Sequence, residues 1–319
     1  MKTIIVSRDA FEVLFVLLVS LVKCSAPVAP TWSPSIPALS TATPMSTVNL
    51  SLTPSPKSLA DMSTPSPIIV PTRPPRPTPA PTMTADEEYT FVSEMLQNNG
   101  GCQLPCWWGF IPGETSWQTA QTFFTSRGKK IWHYRQTSYT VIFDIPQRDI
   151  GCVQSYFVDD ETIDIISVHA TLPIRDNEFV YGDAQFAEDW KRYMLPDILM
   201  AYGQPSQVFL GVYKAPWMPF DLLLFYPEKG FLVRYMAPAE REGRTFRMCP
   251  HKTDITLWLW SPERDMALEY IANVGGFPTG DMSYFRSLEE ATGMSIEQFY
   301  QTFSQPDNQT CLETPADLW

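Results

Sequence analysis

The stretch that decides the fold is "CVQSYFVDDETIDIISVHATL", residues 152–172. Apolar and polar residues alternate on both sides of "DDE", and β-branched and aromatic side chains dominate. That pattern predicts two antiparallel strands joined by a tight turn. "YTVIFDI" (139–145) alternates in the same way and adds a strand before the hairpin. "PGETSWQTAQTFFTSRG" (112–128) precedes it as a helix, with Trp117, Ala120, Phe123 and Phe124 at helical spacing. Thr115 and Gln118 have the spacing of a capping box, and Gly128 is placed to end the helix.

The scheme then recurs. Residues 186–205, "FAEDWKRYMLPDILMAYGQP", read as helical, restarted at Pro196 and stopped by Gly203 and Pro205. "SQVFLGVY", "FDLLLFY" and "GFLVRYM" come next as strands, the last two joined by "PEKG". "DITLWLWS" (254–261) adds one more strand. Ser287 with Glu290 and Ser295 with Gln298 start two tail helices, and Ile296, Phe299, Tyr300 and Phe303 share a face of the second. Residues 87–97 read as a short leading helix. The expected fold is α+β, with two related helix-plus-antiparallel-meander sub-domains at 84–180 and 181–319.

The chain before residue 84 has a different composition. Lys2 and Arg8 stand before a twelve-residue apolar run, Phe11 to Val22. About 20 residues are needed to span a bilayer, so the run has the length of a secretory signal. "LVKCSAP" (21–27) resembles a bacterial lipobox, with Leu21 and Cys24 in place and Lys23 where a small residue is usual. Cys24 is therefore the expected lipidation site and residues 1–24 the leader. Cleavage after Ala26 would put Pro27 just past the cut; uncleaved anchoring and plain secretion remain open. Residues 25–83 hold 15 of the 30 prolines, with many Ser and Thr. Such a segment buries too little apolar surface to order itself and is expected to be a disordered, extended tether.

The 319 residues carry a net charge of -12. Up to Met83 there are six Lys/Arg against three Asp/Glu, leaving 17 against 32 beyond it. An acidic surface of this kind repels phosphate backbones and argues against nucleic acid as a partner.

Chemistry-bearing motifs are scarce. His133, His169 and His251 have no zinc-ligand spacing, and no phosphate-binding or nucleophile motif occurs, so neither metal nor cofactor is expected. Asp159, Asp160 and Glu161 group three acids, which turn chemistry accounts for better than a calcium or acid/base cluster. Trp217, Trp258 and Trp260 form a candidate aromatic binding surface, since 258 and 260 share one face of a strand. Their other reading is core packing.

Cys102 and Cys106, four apart, lack the spacing of a redox pair. In an exported chain they read as a disulfide closing a turn around Pro105. Cys249 then pairs with Cys311, and Cys152 stays a buried free thiol. Pairing of Cys106 with Cys152 is the alternative.

At "CQLPCWWGFIPGETS" (102–116) the chain resembles a group of uncharacterised bacterial lipoproteins. They share Cys-x-x-Pro-Cys-Trp-Trp-Gly and then Pro-Gly-x-Thr, here Cys102, Pro105, Cys106 to Gly109, Pro112, Gly113 and Thr115. The ending "CLETPADLW" fits the same group. No activity comes with that resemblance. The helix–meander units also resemble β-lactamase-inhibitor-like folds and the small lipoprotein of the outer-membrane barrel-assembly machine, which implies a binding module. The resulting expectation is an extracytoplasmic lipoprotein of the cell envelope, lipid-anchored to a membrane, with a non-catalytic domain for an unknown protein or glycan partner. The rival is an envelope or glycan-directed hydrolase using carboxylates such as Asp144, Asp159 or Glu161, or a carbohydrate-binding module.

Overall fold

The computed structural model describes residues 82–135, 137–145, 150–213, 219–274, 282–306 and 308–319. The leader, Cys24, the tether up to residue 81 and Trp217 lie outside the described residues.

The decisive hairpin is β3 (Ile150–Asp159) and β4 (Thr162–Thr171). Asp160 and Glu161 join them with φ of 43° and 67°. Two left-handed residues give the turn whose twist matches that of the strands. β1 (Ile131–Arg135) and β2 (Ser138–Ile145) complete an antiparallel meander, β1-β2-β3-β4. α1 (Ala85–Asn98) and α2 (Trp117–Thr125) precede it.

After the small hairpin β5 (Ile174–Arg175) and β6 (Glu178–Phe179), α3 (Ala184–Asp189) and α4 (Leu195–Tyr202) lead into a second meander. Its strands are β7 (Gln207–Val212), β8 (Pro219–Tyr226) and β9 (Phe231–Pro238). Gly230 turns β8 into β9 at φ 72°, where a Cβ would stand 2.3 Å from the Trp260 carbonyl oxygen. Only glycine fits there.

β10 (Glu240–Glu242) and β11 (Thr245–Met248) come next, then β12 (Asp254–Trp260). β12 runs antiparallel to both β4 and β9 and fuses the meanders into one sheet. With β13 (Phe285–Ser287) the order is β1-β2-β3-β4-β12-β9-β8-β7-β13. α5 (Leu268–Val274) lies between β12 and β13 in the chain, and α6 (Leu288–Thr292), α7 (Ile296–Phe303) and β14 (Leu312–Pro315) form the tail. β14 pairs with β11. The fold is α+β, built on a large antiparallel sheet.

The two faces of the sheet differ. One packs against helices over both meanders, in a cluster running from Val92 and Phe124 through Val168 and Leu257 to Phe303. The other is buried over the second meander and the adjoining edge of the first, where Ile165 of β4 joins its buried cluster and Phe157 of β3 packs against it. There Leu223, Phe225, Leu232, Trp258 and Trp260 lie under Met266, Leu268, Ile271 and Ala272. All eight residues of β8 and all seven of β12 are buried, whereas burial in β4 alternates except at its bulge. Strands covered on both faces read as continuous apolar runs, and strands covered on one face alternate.

Helix starts obey capping chemistry, with one correction. Thr84 with Glu87, Ser287 with Glu290 and Ser295 with Gln298 form capping boxes. α2, however, is capped by Ser116, whose hydroxyl accepts the Thr119 N–H, and not by Thr115. The Thr115 hydroxyl is committed to the Ile111 N–H at 2.8 Å. α2 also ends at Thr125, three residues before Gly128.

Candidate functional site

Two disulfides are present, Cys102–Cys106 and Cys249–Cys311, and Cys152 is a free buried thiol whose burial pushes its pKa up to about 12. The first bridge closes a loop with a cis Leu104–Pro105 bond. Asn99, fully buried and left-handed at φ 53°, organises it. Its amide Nδ2 donates to the carbonyls of Cys102 and Cys106 at 3.2 and 2.8 Å, and its Oδ1 accepts the Trp108 N–H at 3.0 Å. A Cβ on Gly100 would come within 2.8 Å of the Trp108 carbonyl carbon, so the close approach requires glycine there. Trp107 then stacks against Trp190, and Trp108 meets Phe91 and Phe143 edge-on. Arg192 donates to the Cys102 carbonyl at 3.2 Å. This loop is a packed staple between early and late helices. The second bridge extends the β11–β14 ladder one residue beyond Met248↔Leu312.

A group of buried titratable side chains lies on the second face of the sheet, at the joint between meanders. Cross-strand register puts Arg234 beside Thr256 and Thr256 beside His169, with Asp221, Met236 and Asp254 in the next row. Arg234 Nε donates to Asp221 Oδ1 at 2.8 Å, and its terminal nitrogen contacts Met236 Sδ at 2.9 Å. Asp221, Arg234 and Asp254 are 0%, 8% and 6% exposed, so burial dominates their chemistry. Burial, reinforced by Asp221, lifts the Asp254 carboxyl to about 7 against the pull of Arg234. Burial also lowers His169 to about 4, with Arg234 adding to the effect, and leaves a neutral imidazole hydrogen-bonded to Thr256 at 3.0 Å. Two carboxyls thus share one guanidinium, and protonating Asp254 balances the charge. An acid held near neutrality can store or release a proton, but here it stands under the second half's cover. Three apolar strand sequences, "FDLLLFY", "FLVRYM" and "DITLWLW", each hold a single charged residue. Those isolated charges are the sequence signal from which the cluster can be found.

Over the first meander the second face is covered in part: Ile165 and Thr140 are buried and Phe157 packs against the covered cluster, while β1 is exposed. Trp132 and Tyr134 are 42% and 53% exposed, and Ile142, Val153, Ser155, Phe157 and Ser167 are half-buried. One cross-strand row runs Trp132, Thr140, Ser155, Ser167, Trp258. Thr140 and Ser155 share a hydroxyl hydrogen bond of 3.0 Å within it. The Lys130 ammonium stands 3.3 Å from the Trp132 ring centroid. On the opposite face of β1, His133 stacks on Tyr139, which stacks on Trp117.

The expected aromatic surface is corrected. Trp258 and Trp260 share a face, but at 1% and 0% exposure they are core, covered by the segment after β12. The carboxylates considered for hydrolysis do not converge. Asp144 stands opposite Gly151, and Asp159 and Glu161 lie at the far end of that hairpin, roughly 25 Å away at about 3.3 Å per residue. His133, His169 and His251 are likewise dispersed, and among the described residues no group of three His, Cys, Asp or Glu side chains could hold a metal. No described helix is long and apolar enough to cross a membrane. A shallow pocket beside the second disulfide is lined by Tyr181, Pro238, Glu240, Met248 and Lys252.

No protein-family model matches the chain, and no curated protein matches it. Among solved structures it is similar to a cysteine-rich secretory protein from Staphylococcus aureus, at 9% identity and a TM-score of 0.20. The match covers 58% of this chain and 55% of that one, and at this level it carries no argument.

Proposed function

We propose that the protein is an extracytoplasmic, membrane-anchored lipoprotein with a non-catalytic binding domain. In this reading residues 1–24 direct export, Cys24 carries the lipid, and residues 25–83 form the tether. Two related helix–meander sub-domains, 84–180 and 181–319, make the binding domain, and the partner is a protein or glycan. One observation carries the binding reading: Asp221, Arg234 and Asp254 are buried, while the β1 side of the sheet is left exposed around Trp132 and Tyr134. Exposed aromatic surface is the common currency of recognition sites. The likeness of residues 102–116 to bacterial lipoproteins supports the anchor.

Membrane fractionation of the full chain tests the anchor. Cys24→Ser is expected to appear in the soluble fraction or to keep its leader uncleaved. Normal membrane retention with normal processing would contradict it. On the same sample, limited proteolysis should cut within 25–83 and leave a resistant fragment starting near residue 84.

A further inference from the structure

We propose that β1 is a docking edge for an acidic, extended segment of another protein, which adds to the sheet as a tenth strand. The proposal deepens the binding reading above and rests on it. β1 ends the nine-stranded order and pairs only with β2. Among the described residues no other backbone group bonds to its outer side. A bare edge is a row of donors and acceptors, and proteins normally blunt it. Here a Lys, a short strand and a register shift between His133 and Arg135 limit the edge. Yet the same five residues present Trp132 on one face and His133 on the other, with Tyr134 exposed at the register shift. A strand added about 4.8 Å away would bring its side chains against Trp132 and His133 and extend the Trp117–Tyr139–His133 ladder.

Charge selects the occupant. Residues 127–143 hold Arg127, Lys129, Lys130 and Arg135 and no acid, in a chain of net charge -12. Arg127 lies over the Phe123 ring at 3.7 Å, and Lys129 is paired with Glu88 at 2.6 Å. Lys130 lies over Trp132 and has no carboxylate partner among the described residues. A second copy of β1 is a poor occupant. Antiparallel self-pairing centred between Trp132 and His133 would set Lys130 opposite Arg135 twice, and like charges directly opposite destabilise a ladder. The chain's own residues 25–83 are no better: 15 of these 59 are prolines, which cannot donate to a ladder, and Arg73 and Arg76 have the wrong sign. What remains is a partner segment with free amides, acids along it and apolar residues between them, the chemistry of β-strand addition.

Hydrogen exchange and titration calorimetry on the full chain at low salt provide the test. The probe is a blocked peptide of alternating acidic residues and valine; the controls are its lysine counterpart and a copy N-methylated on alternate residues. The acidic peptide should slow exchange in residues 131–135 and leave β13 unchanged. Lys130→Glu and Trp132→Ala should each weaken it about tenfold or more, and added salt should weaken it further. N-methylation should abolish it. Both substituted side chains are exposed, and thermal melting confirms that the variants fold. Absent protection at β1, equal binding of the lysine peptide, or undiminished binding of the N-methylated copy would overturn the proposal. Protection confined to the amides of Thr140, Ser155 and Ser167 would also overturn it, while leaving the broader binding reading intact.

Discussion

Trp132 and Trp258 occupy the same face of the same sheet and the same cross-strand row, yet one is 42% exposed and the other 1%. The difference lies in the path the chain takes after each meander. β1 to β4 are joined by short connections, and the apolar cover on that face reaches Ile165 and Phe157 but leaves Trp132 exposed. Behind β12 the chain leaves the sheet, and Met266, Leu268, Ile271 and Ala272 pack with Trp258 and Trp260 in one buried cluster. One half therefore keeps an exposed margin at β1, around Trp132, while the other is sealed. The second half also buries a charged group, in which Arg234 pairs with Asp221 and its charge acts on Asp254.

If the second half is sealed, its residues should dominate stability. Trp258→Ala should cost about 3–5 kcal/mol in chemical denaturation, through lost burial and a residual cavity. Arg234→Ala should cost a similar 3–5 kcal/mol, because it strands buried carboxylate without its counter-charge. Replacing Arg234 and Asp221 together by Met and Leu should recover much of that loss, since an apolar pair leaves less unpaired charge.

The pH profile sharpens the comparison further. Asp254, raised to about 7, is protonated in the native state and ionised in the unfolded chain over the intervening range. Its contribution is whole below about pH 4 and is lost as pH rises to about 7. His169, lowered to about 4, is neutral in the native state and charged in the unfolded chain up to its ordinary 6.5, so its contribution grows with pH over that window. The two slopes oppose each other and flatten the wild-type profile. Asp254→Asn should make stability rise from pH 4 to 6.5. His169→Asn should make it fall from pH 4 to 7. Each slope is at most about 1.4 kcal/mol per pH unit. Denaturation midpoints across pH check both signs. Smallest of all, Trp132→Ala on the exposed margin should stay within about 0.5 kcal/mol of the wild type.

Much of this architecture is legible in the sequence, for local reasons. The β3–β4 hairpin announces itself through alternation around an acidic turn, and β8, β9 and β12 through apolar runs. The caps of α6 and α7 come from spacing alone. The start of α2 does not, because Thr115 and Ser116 both have capping chemistry and a contact with Ile111 decides between them. β1 escapes a sequence reading because "KKIWHYR" mixes charge with aromatics and resembles a loop until a neighbour pairs with it. Insertion of β12 between β4 and β9 joins segments about 90 residues apart, which no local pattern encodes. The covering of Trp258 and Trp260 is hidden for the same reason. Period-two spacing puts both on one face, but the segment that hides them carries no signal of its destination.

Hydroxyl-radical footprinting with mass spectrometry, applied to the full chain free of any partner, tests the division of the sheet most directly. It reads side-chain exposure of all four residues in one sample. The account predicts rapid oxidation of Trp132 and Tyr134, with Trp258 and Trp260 reacting at least about tenfold more slowly, as their burial requires. Comparable rates at Trp132 and Trp258 would contradict it.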